Sequence, residues 1–254
     1  MQIAITRAVS PSIVRCELTH LARQPIDVEL AEAQHAEYET ALAELGCAVR
    51  QLPVQPNLPD SVFVEDMALV FDEVAVILRS GASSRRPEAA SVAEALAAYR
   101  ELRTMQAPAT MDGGDVLRID RDVYVGVSGR STLDGIRQVE SLLAPFGYRV
   151  HPVEMTGCLH LKSAVTQVGE RLLLVNPAWV DVGIFKGMEW IEVAPEEPHA
   201  ANALLLGAAV IYPAAHRVTR QRLEQRGVHL RLVDVSELMK AEGAVTCCSL
   251  VFRA

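Results

Sequence analysis

No stretch of this sequence approaches 18 consecutive apolar residues, so no segment reads as a membrane-crossing helix. Positive charge is in deficit: 24 lysines and arginines face 32 aspartates and glutamates, a formal net charge of −8. That balance argues against nucleic acid or an anionic membrane as the main partner, because phosphate binding wants a basic face. It is compatible with a small cationic substrate, and mild acidity also serves solubility alone. Cysteine is scarce and unpatterned: Cys16, Cys47, Cys158, Cys247 and Cys248 form no CxxC motif and are odd in number. A disulfide framework or zinc site is therefore not expected, and reduced thiols in a cytoplasm are. The opening Met1-Gln2-Ile3-Ala4-Ile5-Thr6-Arg7 lacks the basic-then-apolar layout of a signal peptide and reads as a strand.

What is present is hydrophobic material for a substantial core, 50% of the residues, with a charged fraction too ordinary for disorder. A chain of 254 residues suits one or two domains, and an internal repeat favours a single domain over residues 1–254. The clearest unit begins with apolar runs at 62–71 and 74–78 around an Asp72-Glu73 turn, a hairpin pattern. A loop from Arg79 to Pro87 follows, then an Ala-rich stretch, 88–102, of helical composition.

The same order recurs. Runs at 116–119 and 123–127 flank Asp120-Arg121-Asp122, a helix is expected over 131–146, Gly147 stops it, and 148–155 reads as a strand. A third copy places strands at 164–168, 171–175 and 190–193 around a short helical region at 179–186. A fourth places strands at 203–206, 208–212 and 230–233 around a helix at 217–225. The N-terminal unit has strands at 3–7 and 48–52 with a helix at 28–45, and is one strand short. The unused strand at 244–252 would supply it, closing a ring of five units and leaving no open edge there.

Glu65, Asp112, His160, Asn202 and Cys247 each stand at the entrance to one of these runs, at intervals of roughly 45 residues. In a closed pseudo-symmetric ring they would converge at one end. Most cysteines in apolar runs are small core residues, and that reading suits one of the pair Cys247-Cys248. Neighbouring strand residues point to opposite faces, so only one of the two can face a site. A lone histidine is more often structural, but His160 alone among seven shares the phase and has a plausible cysteine partner. A thiolate beside an imidazolium is an activated nucleophile. Asp112 before Gly113-Gly114 reads as turn chemistry, or as a carboxylate that orients His160 while the glycines let backbone approach. Asp60, Glu65 and Asp66 form an acidic group able to hold a guanidinium by charge-assisted bonds. Arg85, Arg86 and Arg130 are candidate anion binders, though exposed arginines are usually only solvated.

Several strings carry a resemblance to a known family: Leu58-Pro59-Asp60-Ser61-Val62-Phe63-Val64-Glu65-Asp66, the loop Arg79 to Glu88, Leu159-His160-Leu161-Lys162, Ala200-Ala201-Asn202 and Thr246-Cys247-Cys248-Ser249, with Glu32 to Tyr38 near the start. They resemble the dimethylarginine dimethylaminohydrolase family, in order and across essentially the whole chain. The resemblance implies an α/β fold, a five-bladed α/β propeller of ββαβ modules with pseudo-fivefold symmetry, the pentein fold. It implies hydrolysis of N-omega-methylated arginine to citrulline and dimethylamine or methylamine through a covalent cysteine thiouronium. In that scheme Cys247 is the nucleophile, His160 the general acid/base and Asp112 its supporting acid, a position that holds glutamate in some members. Asp60, Glu65 and Asp66 take the guanidinium side, with Asp66 in direct contact. Arg85 and Arg130 clamp the substrate α-carboxylate, and the backbone of Leu18 and Ala241 meets the amino-acid end. Leu18 belongs to a lid loop at about 16–25. No metal or organic cofactor is implied, a homodimer is left open, and a cytoplasmic location is expected. Two alternatives stand beside this one: an arginine deiminase-like hydrolase of another guanidino compound, and a non-catalytic propeller that only binds.

Overall fold

Apolar runs separated by two or three polar residues can only double back on themselves, and each such pair here forms an antiparallel hairpin. In a computed structural model of the protein, residues Met1–Ala254 are all described. The first blade holds β1 (Gln2–Arg7), α1 (Val28–Glu44) and β2 (Cys47–Leu52). The second holds β3 (Ala68–Val70), β4 (Val74–Ile77), α2 (Ala89–Leu96) and β5 (Glu101–Thr104). The third holds β6 (Val116–Ile119), β7 (Asp122–Val127), α3 (Leu133–Leu143) and β8 (Arg149–Glu154). The fourth opens with α4 (Leu161–Ala164) and carries β9 (Val165–Gly169), β10 (Leu172–Val175) and β11 (Glu189–Glu192). The fifth has β12 (Leu204–Leu206), β13 (Ala209–Pro213), α5 (Arg217–Gln225) and β14 (His229–Val233); α6 (Ser236–Met239) and β15 (Leu250–Arg253) end the chain.

The fifteen strands make five three-stranded sheets. In each, the middle strand pairs antiparallel with one neighbour and parallel with the other, as a hairpin followed by a crossover requires. The first blade obtains its antiparallel partner from the far end of the chain: β15 pairs with β1, Gln2 opposite Arg253 and Ile5 opposite Leu250. The expected closure of the ring is therefore present, and the architecture is a five-bladed α/β propeller.

Strand periodicity then builds the core. Alternate residues of each middle strand face opposite neighbours. Val74 and Val76 enter the cluster shared with the third blade, whereas Ala75 and Ile77 enter the one shared with the first. Val123 and Val125 face the second blade, and Tyr124 the fourth. Val210 and Tyr212 face the fourth blade, and Ile211 packs with Ala4, Tyr38 and Leu42 of the first. Each of the five clusters thus seals one joint between blades, which is why blades of three short strands are stable only as a ring.

Three expectations about local structure need correction. The stretch 88–102 is not one helix: α2 ends at Leu96, and Glu101–Thr104 pairs with β4, Leu102 opposite Ala75. Alanine-rich composition favours helix, but the parallel edge of the sheet needs a third strand, and tertiary pairing wins. The region 179–186 holds only one 3-10 turn, Val182–Ile184. The final strand begins at Leu250, so Cys247 and Cys248 lie in the turn before it rather than within it.

Candidate active site

Glu65 lies in a 3-10 turn just before β3, Asp112 just before the turn leading to β6, and His160 at the head of α4 before β9. Asn202 precedes β12, and Cys247 precedes β15. The common phase thus places all five in turns at the same end of the ring. Short links lock these turns together. Asn202 accepts the Thr246 N–H at 3.1 Å and donates to Thr246 Oγ1 at 2.9 Å and to the Lys162 carbonyl at 3.1 Å. It therefore stitches the turn of Cys247 to that of His160. Glu65 N–H donates to the Cys247 carbonyl at 3.1 Å.

A narrow cavity of about 20 Å³ is lined by Cys247, His160, Asp60, Asp66, Arg85 and Arg130, together with Glu17, Ala241 and Glu242. That is room for about one water molecule. His160 Nε2 sits 3.3 Å from Asp112 Oδ2, and Asp112 is fully buried. The other Asp112 oxygen accepts the Gly81 N–H at 3.0 Å, and Arg130 Nη1 lies 3.6 Å from Oδ2. The imidazole packs on the backbone of Gly114, where an added Cβ would lie 2.6 Å from Nδ1. A Cβ on Gly113 would lie 2.0 Å from the Glu65 carbonyl oxygen, so the adjacent glycines admit the imidazole and a neighbouring turn.

Charge follows from these neighbours. Burial opposes an imidazolium at His160, but Asp66, Asp112 and Asp115 outweigh it and push the ring up to about 9. Burial also opposes the Asp112 carboxylate, yet the hydrogen bond and charge of His160, with Arg85, bring it down to about 2. Burial, then Glu65 and Asp66, push the Cys247 thiol up to about 12. At neutral pH the resting site is a neutral thiol beside a charged imidazolium–carboxylate pair. A cation bound near the sulfur would favour the thiolate, so the site can couple substrate charge to nucleophile ionisation.

Two residues stand apart from their expected surroundings. Glu65 Oε1 receives Lys162 Nζ at 2.6 Å, and the residue lines a second pocket, with Thr166 and Thr246, rather than the cavity of Asp66. Arg85 is buried and most of its donors are engaged: Nη1 reaches Asp66 Oδ2 at 2.6 Å, Nη2 reaches Glu88 and the Asp60 and Phe63 carbonyls, and Nε faces Glu88. Arg130, half-buried, makes its side-chain hydrogen bond to Thr19 Oγ1 at 3.3 Å. Leu18 lies on the loop over the cavity and packs against the core, and Ala241 lines the cavity wall.

Residues beyond those foreseen also shape the site. Asp115, in the Asp112-Gly113-Gly114-Asp115 string, accepts from Leu161 N–H, Ser128 Oγ and Ser131 Oγ and so anchors the His160 turn. Its place one turn after Asp112 was the available signal. Glu88 pairs with Arg85 three residues before it, so the i,i+3 spacing was its signal, whereas Lys162 gave none because its partner Glu65 is distant in sequence. Asp66, Asp112 and His160 each bring a ligand atom within 4.8 Å of the others, a spacing that could hold a metal ion. The carboxylates are already engaged by Arg85, Gly114 N–H, Gly81 N–H and His160 itself.

The sequence model of the family described as "N,N dimethylarginine dimethylhydrolase, eukaryotic" matches residues 19–182. The chain is 38% identical to the N(G),N(G)-dimethylarginine dimethylaminohydrolase of Streptomyces coelicolor, covering 98% of this chain and 96% of that protein. The chain belongs to the dimethylarginine dimethylaminohydrolase family. The Pseudomonas aeruginosa enzyme of that name is 33% identical, covering 92% of each chain. A crystal structure from Pseudomonas aeruginosa, a cysteine-to-serine mutant complexed with citrulline, superposes with a TM-score of 0.94 at 32% identity, over 98% of both chains. Like its family, the chain is a hydrolase acting on C–N bonds of linear amidines, and its fold is the pentein propeller.

Proposed function

We propose that the chain, acting as one catalytic domain over residues 1–254, hydrolyses N-omega-methylated L-arginine to citrulline and dimethylamine or methylamine. The observation that carries this reading is the shared cavity of Cys247, His160 and Asp66, with an imidazolium held ready by Asp112. The names of the relatives and the citrulline in the related structure agree with it.

In the proposed reaction the substrate guanidinium meets Asp66, with Asp60 nearby, and its charge draws Cys247 toward the thiolate. The sulfur attacks the guanidinium carbon. His160 gives its proton to the departing amine as the C–N bond breaks, leaving an S-alkylthiouronium. Neutral His160 then takes a proton from water as the oxygen adds to the same carbon, and the C–S bond breaks as the hydroxyl proton passes to the sulfur, releasing citrulline and the thiol. Asp112 keeps the imidazole oriented and basic throughout. Arg130, with the backbone of Leu18 and Ala241, would hold the amino-acid end.

One observation favours a second reading, hydrolysis of another guanidino compound. Arg85, expected as half of a carboxylate clamp, is already held by Asp66, Glu88 and two carbonyls, an arrangement that suits a substrate without a carboxylate. The test measures ureido-product formation from asymmetric dimethylarginine, monomethylarginine, arginine and agmatine in parallel. Preference for the methylated arginines supports the first reading and preference for agmatine the second; no product from any of the four, with folded protein, overturns both.

A further inference from the structure

The loop from Glu17 to Pro25 is exposed along nearly all its length and has no regular structure. Polar contacts hold it against the cavity. Glu17 N–H donates to the Asp60 carboxylate at 3.1 and 3.2 Å, Ser84 Oγ donates to Glu17, and Arg130 reaches Thr19. The densest anchor is Glu242. Its carboxylate accepts three consecutive backbone N–H groups: Thr19 at 3.0 Å to both oxygens, His20 at 2.5 Å and Leu21 at 2.6 Å. Successive amides converging on one anion form a nest with charge-assisted bonds.

Glu242 also occupies a backbone conformation that a glutamate seldom adopts, with φ at +57°. Glycine would take this conformation without steric cost. A strained residue whose side chain makes three converging bonds points to a task for that side chain. The support beneath it is firm. Glu242 N–H donates to Met239 O and Gly243 N–H to Leu238 O, both at 3.1 Å, and Leu238 is fully buried. A Cβ on Gly243 would fall 2.2 Å from the Phe63 ring, so this turn is packed tightly against the core.

Position completes the case. Glu242 lines the catalytic cavity on one side and, on the other, a chamber of about 270 Å³ that also touches His20, Leu21 and His199. The catalytic cavity as it stands is too small for an arginine-sized molecule, so part of its wall has to move to admit one, and the loop, which contributes Glu17 to that wall, is its most exposed part. Its contacts are mostly exposed and polar, so it can open without disturbing the core.

We propose that Glu242 is a positioning residue of the hydrolase: it gathers the N–H groups of Thr19, His20 and Leu21 and thereby sets the closed place of the 17–25 loop over the substrate. The inference rests on the reading of this cavity as the reaction site. The test compares Glu242→Gln and Glu242→Gly with the native protein by amide hydrogen exchange, thermal unfolding and steady-state kinetics. Both variants should exchange amides 18–22 about tenfold faster or more and raise KM about tenfold with kcat changed far less. Glu242→Gly should melt no lower than the native protein, because it relieves the backbone, and Glu242→Asp should recover part of the loss by keeping the charge. Unchanged exchange at 18–22 would overturn the proposal. So would faster exchange spread through the core with a matching fall in Tm, since that marks a structural residue only. If the native protein gave no product from any guanidino substrate, the substrate reading would fall while the exchange measurement still decided the role of Glu242.

Discussion

Asp112→Asn removes one negative charge from the fully buried position beside His160 while keeping volume and one acceptor oxygen. In the native protein Asp66, Asp112 and Asp115 hold His160 at about 9 against the opposing effect of burial, compared with its ordinary 6.5. The net preference for imidazolium is about 3 kcal/mol, so three carboxylates sharing it supply about 1 kcal/mol or more on average. Asp112, which alone of the three hydrogen-bonds the ring, should supply more. The variant's imidazole is therefore expected to lose its proton at least about one pH unit earlier. In the proposed reaction the protonated ring delivers the proton to the leaving amine, so the alkaline limb of kcat should move down by that interval, and turnover at pH 8.5 should fall about threefold or more. The assay is the rate of ureido-product formation from pH 6 to 10 for both proteins on one substrate. An alkaline limb at the same pH in both would refute the reasoning. Stability carries the same signature. His160, raised in the folded state, contributes fully below about pH 6.5 and fades as pH climbs through about 9. Asp112, lowered to about 2, contributes above about pH 4 and is lost as pH falls through about 2. The Tm difference between native and variant should be largest between about pH 4 and 6.5 and shrink above, and a difference constant with pH would contradict it.

Gly114→Ala would put a methyl group 2.6 Å from His160 Nδ1. It is expected to displace the imidazole and lower kcat about a hundredfold, measured beside circular dichroism to confirm folding; near-native activity would show that the close packing is unimportant. Asn202→Ala breaks three bonds between the Cys247 and His160 turns, two of them buried, and should cost about 2–3 kcal/mol in denaturant unfolding together with a loss of kcat. A change under about 0.5 kcal/mol would mean the turns hold without it. Cys248→Ser should keep turnover within a few-fold, because Cys248 Sγ is directed at the Ala244 carbonyl, 3.3 Å away, and the residue is absent from the cavity lining. Loss of activity with native stability would assign chemistry to the wrong cysteine.

The ring was legible because a hairpin, a crossover and a returning strand leave periodic apolar runs, and because a missing first-blade strand matched a surplus one at the end. The shared phase of Asp112, His160 and Cys247 was legible for the same reason, since each blade starts at the same end. What was not legible shares one cause as well. Glu101–Thr104 looks helical until β4 offers an edge, and only the fold shows that Glu65 is paired with Lys162, far along the chain. Asp66 and Glu65 are adjacent in sequence yet line different pockets, because side chains of successive residues in one 3-10 turn point different ways. The arginines were hardest to read. Arg85 and Arg130 lie off the repeat, and only the fold reveals that one is buried among acids while the other meets the loop.

The central claim is that Cys247 forms the covalent bond to substrate. Rapid acid quench of the native protein with asymmetric dimethylarginine, followed by peptide mass spectrometry, tests it directly. The expected result is an adduct on the peptide containing Cys247, with the mass of the substrate less dimethylamine, and no adduct or turnover in Cys247→Ser. Native-like turnover in Cys247→Ser, or an adduct confined to another residue, would contradict it.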